Sequence, residues 1–160
     1  MMKPLFLFFI TIIVLNFAIA QVPVKDEPRH HNIFENNYVR ILDVHIKPGD
    51  TTLYHIHATP SVFIFFTKTK VGSNIINKPV SSSINTIGNI SYDSLKTPRV
   101  HRVWNEDSSW FHVMDVEIVN QQATVKHSTL NIKNAELLFD KPLVRGYKLQ
   151  LSAGETFNIR

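Results

Sequence analysis

The stretch Gly49-Asp50-Thr51-Thr52-Leu53-Tyr54-His55-Ile56-His57 decides how this chain is read. Lys47-Pro48-Gly49-Asp50 supplies turn chemistry, and residues of strand type follow it. In a strand, alternate side chains share a face, so His55 and His57 point the same way, one pleat repeat apart. Two imidazoles buried side by side without a shared ligand leave ring nitrogens to satisfy. The pair therefore reads as a metal site. His30, His31, His45 and His127, each taken alone, read as ordinary core or surface residues.

Working outward, residues 38–46, 52–57, 62–66, 100–104, 110–119 and 143–151 are rich in Val, Ile, Phe, Tyr and Trp. Turn signals such as Lys70-Val71-Gly72-Ser73 and Asn105-Glu106-Asp107-Ser108 separate them. Only 134–139 has helical character, and the polar, Ser/Asn-rich run 81–89 reads as a loop. Short strands at this spacing predict an all-β antiparallel sandwich or barrel. Parity along 99–103 puts His101 on one face with Arg99 and Val103. Along 110–118 the even positions Trp110, His112, Met114, Val116 and Ile118 form a mostly apolar face, which predicts an interior His112. Trp104 is expected to pack on Phe111 or on strand 62–66, and Asn105 to cap the turn that it opens.

Composition narrows the chemistry. The chain has 160 residues, 44% hydrophobic and 19% charged, so it is neither disordered nor collagen-like. Seventeen Lys and Arg against thirteen Asp and Glu give +4, with the basic residues scattered singly, and no nucleic-acid partner is expected. With no cysteine, thiolate ligands, thiolate nucleophiles and disulfides are excluded, and the eight histidines become the main source of chemistry. Lys3, the apolar run from Leu5 and the small-x-small triplet Ala18-Ile19-Ala20 read as a signal peptide over 1–20, cleaved before Gln21. The run falls short of the roughly 20 apolar residues that span a bilayer, so no stable membrane span is expected after cleavage, and the destination is periplasmic or secreted.

The segment Gly49 to His57 resembles the first motif of the cupin superfamily, G-x5-H-x-H-x3,4-E-x6-G. His101-Arg102-Val103-Trp104-Asn105 resembles the end of the second, H-x3-N. The resemblance implies an RmlC-like jelly-roll β-barrel over 34–119, preceded by an N-terminal arm, 21–33, and followed by a connector, 120–142. It also implies a divalent metal held by His55, His57 and His101. Ser61 stands where the motif has its glutamate, Lys68 where it has a glycine, and Lys96-Thr97-Pro98 where it has Pro-x-Gly. Three neutral imidazoles suit iron(II), zinc, manganese, nickel or copper better than magnesium or calcium.

Two uses follow from that resemblance. Iron(II) with open positions would support dioxygenase-type chemistry on a small molecule, and zinc would support hydrolysis or isomerisation. The alternative is a non-catalytic, small-molecule-binding or structural cupin module without metal. Candidates for proton transfer or substrate anchoring are His112, Arg99 and Tyr54. Arg99 has the parity of His101, whereas Tyr54 and Arg102 have the parity of the outside.

Phe34, Val39, Arg40, Gly49 and Thr51 align at constant offset with Phe139, Val144, Arg145, Gly154 and Thr156. This looks like an internal repeat. Residues 143–160 are then either the first strand of an incomplete second cupin repeat, as at the N-terminal part of an exported bicupin-like protein, or the closing strand of the first barrel. An unclosed strand offers backbone donors for a homodimer.

Overall fold

The computed structural model describes residues 21–122, 128–131 and 134–157. The leader at 1–20 and His127 lie outside the described residues. Twelve strands are seen: β1 (Gln21–Pro23), β2 (His30–Glu35), β3 (Val39–Ile46), β4 (Tyr54–His57), β5 (Ser61–Phe65), β6 (Lys70–Ile75), β7 (Ser81–Ile84), β8 (Ile90–Asp93), β9 (Arg99–Asn105), β10 (Phe111–Ile118), β11 (Ala135–Asp140) and β12 (Arg145–Leu149). Among the described residues, no helix is long and apolar enough to cross a membrane.

Two five-stranded sheets carry the architecture, in the orders β1-β4-β9-β6-β7 and β2-β3-β10-β5-β8. All pairings within them are antiparallel except β1 with β4. The stretch 21–33 supplies β1, a 3-10 turn over Val24–Asp26 and the start of β2, so it contributes to both sheets. Gly49, at φ +72°, makes the left-handed turn between β3 and β4, and its N–H is tied to the Asn105 carbonyl at 3.1 Å.

Alternation fills the space between the sheets. Leu42, Val44 and Ile46 of β3 are buried and meet Val24, Val71, Phe111 and Val113, with Phe63, Phe65 and Val103 packed against them. Each fully buried aliphatic side chain of this kind contributes about 1.5–3 kcal/mol. Asn105 is buried at the junction. Its amide donates to the carbonyls of Ile46 (3.0 Å) and Ser109 (2.8 Å), and its Oδ1 accepts from Asp107 N–H (2.9 Å), the expected turn cap.

Several expectations are corrected. In β10 the odd positions Phe111, Val113, Asp115 and Glu117 are buried and the even ones, apart from Ile118, are not. A one-residue slip in parity exchanges the two faces of a strand, so His112 lies outside. Residues 81–84, read as loop, form β7, whose serines pair across to β6. Residues 134–139 are not helical: β11 begins at Ala135 and pairs with β12 in a separate two-stranded sheet. β12 pairs with β11 and, among the described residues, with neither five-stranded sheet. The Trp104 indole packs over Gly72 on the outer face and donates to Glu106 Oε1 at 2.9 Å, away from Phe111.

Candidate metal centre

β4 and β9 run antiparallel with His55 opposite His101 and His57 opposite Arg99. Period two then brings His55, His57 and His101 onto the inner face of one sheet. Their ring centroids are separated by 5.1 Å (His55–His57), 4.6 Å (His55–His101) and 4.9 Å (His57–His101). One ligand nitrogen from each lies within 4.8 Å of the other two.

Hydrogen bonding says which nitrogens are committed. His55 Nδ1 donates to the Leu53 carbonyl at 2.9 Å, which fixes the ring and leaves Nε2 as the free ligand atom. His101 Nε2 and His57 Nδ1 are buried without a hydrogen-bond partner. Burial, followed by the neighbouring positive fields, holds all three imidazoles in the neutral form: His55 falls to about 4 and His101 to about 2, and His57 is also pushed down. Neutral imidazole is the form that ligates a metal. Buried ring nitrogens without partners are uncommon in folded proteins. The donor set therefore fits a borderline divalent ion such as iron(II), zinc, nickel or copper.

Two residues missed in the sequence complete the surroundings. Asp115, inward from β10 and opposite Phe63 of β5, places Oδ2 3.6 Å from His57 Nδ1, and its carboxylate has no hydrogen-bond partner. Burial pushes Asp115 up to about 7. The motif glutamate is indeed replaced by the buried Ser61, but a carboxylate reaches the histidines from a different strand. The His30 ring lies tilted against His55, centroids 4.8 Å apart, and is hydrogen-bonded through Nδ1 to the fully buried Glu27 at 2.7 Å. The acids Asp115 and Glu117, alternating with Val116 and flanked by Val113 and Ile118, were the available signal.

The remaining candidates divide. Arg99 lines the cavity beside the histidines and is ion-paired with Asp93. Tyr54 is on the outer face, bonded to Asn74 and covered by the Arg102 guanidinium at 5.1 Å. His112 is on the outer face of the other sheet. The cavity in front of the histidines is about 230 Å³, walled by Phe63, Phe65, Val103 and Val113, with Ser83 and Asn85 also contributing.

A cupin domain from Bordetella pertussis superposes with a TM-score of 0.51 at 20% identity, over 56% of this chain and 90% of that one. The fold is that of the cupins. A conserved protein with a double-stranded β-helix domain from Klebsiella pneumoniae aligns with TM-score 0.46 at 18% identity, over 62% of this chain and 83% of that one. An RmlC-like cupin family protein from Methanocaldococcus jannaschii aligns with TM-score 0.46 at 15% identity, over 56% and 77%. No family model and no curated protein matches the sequence. His55 and His101 are register partners across β4 and β9.

Proposed function

We propose that this chain is an exported metal-binding cupin that handles a small molecule at a centre formed by His55, His57 and His101. The observation that carries the reading is the convergence of three neutral imidazoles, two buried and His101 half-buried, two of them with a buried ring nitrogen that has no partner in the protein. Structural histidines have no reason to accept that cost together. Iron(II) or copper held there would supply oxygen chemistry of dioxygenase type, and zinc would supply Lewis acidity.

The protein's own residues then have distinct tasks. Leu53 orients His55 through its carbonyl. Asp115 sits where it can hold the Nδ1 proton of His57 or lend a fourth ligand. Phe63, Phe65 and Val103 keep the cavity poor in water, and Arg99 offers a cation to an anionic substrate, in competition with Asp93. A cavity of about 230 Å³ admits only a small ligand. Export rests on the leader composition: Lys3, the apolar run from Leu5 and the Ala18-Ile19-Ala20 triplet. Amino-terminal sequencing of the protein recovered from the cell envelope or medium tests that part.

The metal reading is tested by elemental analysis after reconstitution with iron(II), zinc and manganese in turn. His55→Ala and His101→Ala should each remove the ion from the inner centre. Metal content unchanged by both substitutions would favour a binding or structural cupin without a metal.

A further inference from the structure

The outer face of the β2-β3-β10 sheet carries a second convergence of ligand-type side chains, on the opposite side of the sheet from the cavity. Asp43 and His45 are alternate residues of β3, and His112 is the cross-strand partner of His45 in β10. All three stand opposite the buried row Leu42, Val44 and Ile46. Asp43 Oδ1 is 2.7 Å from His112 Nε2, and Asp43 Oδ2 is 3.0 Å from His45 Nε2. The two imidazoles are stacked, centroids 4.0 Å apart and planes at 22°. One ligand atom from each of the three lies within 4.8 Å of the other two.

The arrangement is held in place by its neighbours. Phe66 packs 4.6 Å from the His112 ring, and Trp110 meets His45 edge-on at 6.3 Å. His31, paired in register with Asp43, has its ring centroid 6.5 Å from that of His45.

Each oxygen of Asp43 faces one Nε2, so the carboxylate draws both ring nitrogens toward one point on the outer face. A single divalent cation replaces both Nε2 protons, and Asp43 offsets half of its charge. At about 2.0–2.1 Å per ligand, tetrahedral geometry sets neighbouring ligand atoms about 3.3–3.4 Å apart, so the Nε2–carboxylate separations of 2.7 and 3.0 Å need open by only a few tenths of an ångström around an ion. The side chains are about one-third exposed (34%, 28% and 30% for His45, Asp43 and His112), so an ion can enter and keep water in its remaining positions. Two imidazoles and a carboxylate favour zinc, nickel or copper over magnesium and calcium.

We propose that Asp43, His45 and His112 form a second divalent-metal site, on the outer face of the sheet and independent of the inner histidine centre. The test is zinc titration of the untagged protein by calorimetry, with circular dichroism as a check on folding. The wild type should take up two zinc ions per chain, and the surface variant His45→Gln/His112→Gln should take up one fewer. The inner variant His55→Ala/His101→Ala should retain the outer ion, and Asp43→Asn should then weaken it. Zinc uptake by His45→Gln/His112→Gln equal to that of the wild type would overturn the proposal, whether or not the inner variant folds. A His45→Gln/His112→Gln protein that binds no zinc, from a wild type that binds one, would support the outer site and contradict the inner one.

Discussion

Asp115 Oδ2 stands 3.6 Å from His57 Nδ1, and both side chains are almost entirely withdrawn from water, at 1% and 3% exposure. The contact supplies from β10 the carboxylate that the sequence lacks at Ser61. A carboxylate that orients a ligating imidazole is typically worth about 10–100-fold in metal affinity. Asp115→Asn, which keeps the shape, should therefore weaken binding at the inner centre by that factor, read by competition with a chromophoric chelator. An unchanged affinity would show that Asp115 does not act on the centre.

The same residues set a pH dependence for chelator-treated protein. His55 and His101 titrate at about 4 and about 2, and His57 is also depressed, so below about 6.5 the unfolded chain binds protons that the folded one refuses. Their contribution to stability is present above the unfolded value and is lost on acidification. Asp115 has the opposite sign, because its carboxyl, raised to about 7, keeps a proton in the folded state that the unfolded chain releases. Three histidines against one aspartate leave a net uptake of about two protons on unfolding near pH 5. Urea unfolding between pH 7 and pH 5 should show stability falling as the pH falls, and a flat or rising profile would count against three neutral imidazoles.

Glu27 ties the amino-terminal strands to the centre. It is fully buried, accepts from His30 Nδ1 and Arg29 N–H at 2.7 Å each and from Leu53 N–H at 3.1 Å. Burial alone would raise its pKa, but these hydrogen bonds outweigh it and hold the carboxyl at about 2. Glu27→Ala leaves a buried cluster of donors unpaired and should cost about 3–5 kcal/mol in urea unfolding. Because Leu53 also orients His55, metal affinity should fall with it. A loss of less than about 1 kcal/mol would show that the network is dispensable.

Gly72 lies beneath the Trp104 indole, its register partner across β6 and β9, and a Cβ added there would fall inside the ring. Gly72→Ala should destabilise the protein by about 1–3 kcal/mol. Adding Trp104→Ala should recover part of that loss, and additive losses would show that the indole is not what excludes the side chain.

How far the sequence carries the structure can be judged strand by strand. His55, His57 and Arg99 with His101 were legible because two short strands of clear parity carry them. Asp115 was hidden because Trp110 and Met114 make the even face of β10 look like the core, while acidic residues at 115 and 117 look solvated. Their burial is a tertiary effect: Asp115 faces the histidines, and Glu117 is paired with Arg40 at 2.7 Å. β6 to β8 were unreadable for a different reason. Their Ser, Gly and Asn residues lack strand propensity, and they are held by ladders with β9 and β5. The outer cluster was missed with the same slip in β10, since His112 was placed inside.

The central claim is that His55, His57 and His101 together hold one ion. X-ray absorption spectroscopy on the His45→Gln/His112→Gln protein, loaded with one equivalent of zinc, measures this directly. Three imidazole nitrogens at about 2.0–2.1 Å, completed by oxygen, are the predicted first shell. A shell with fewer than three imidazoles, or zinc that washes out on dialysis, would contradict it.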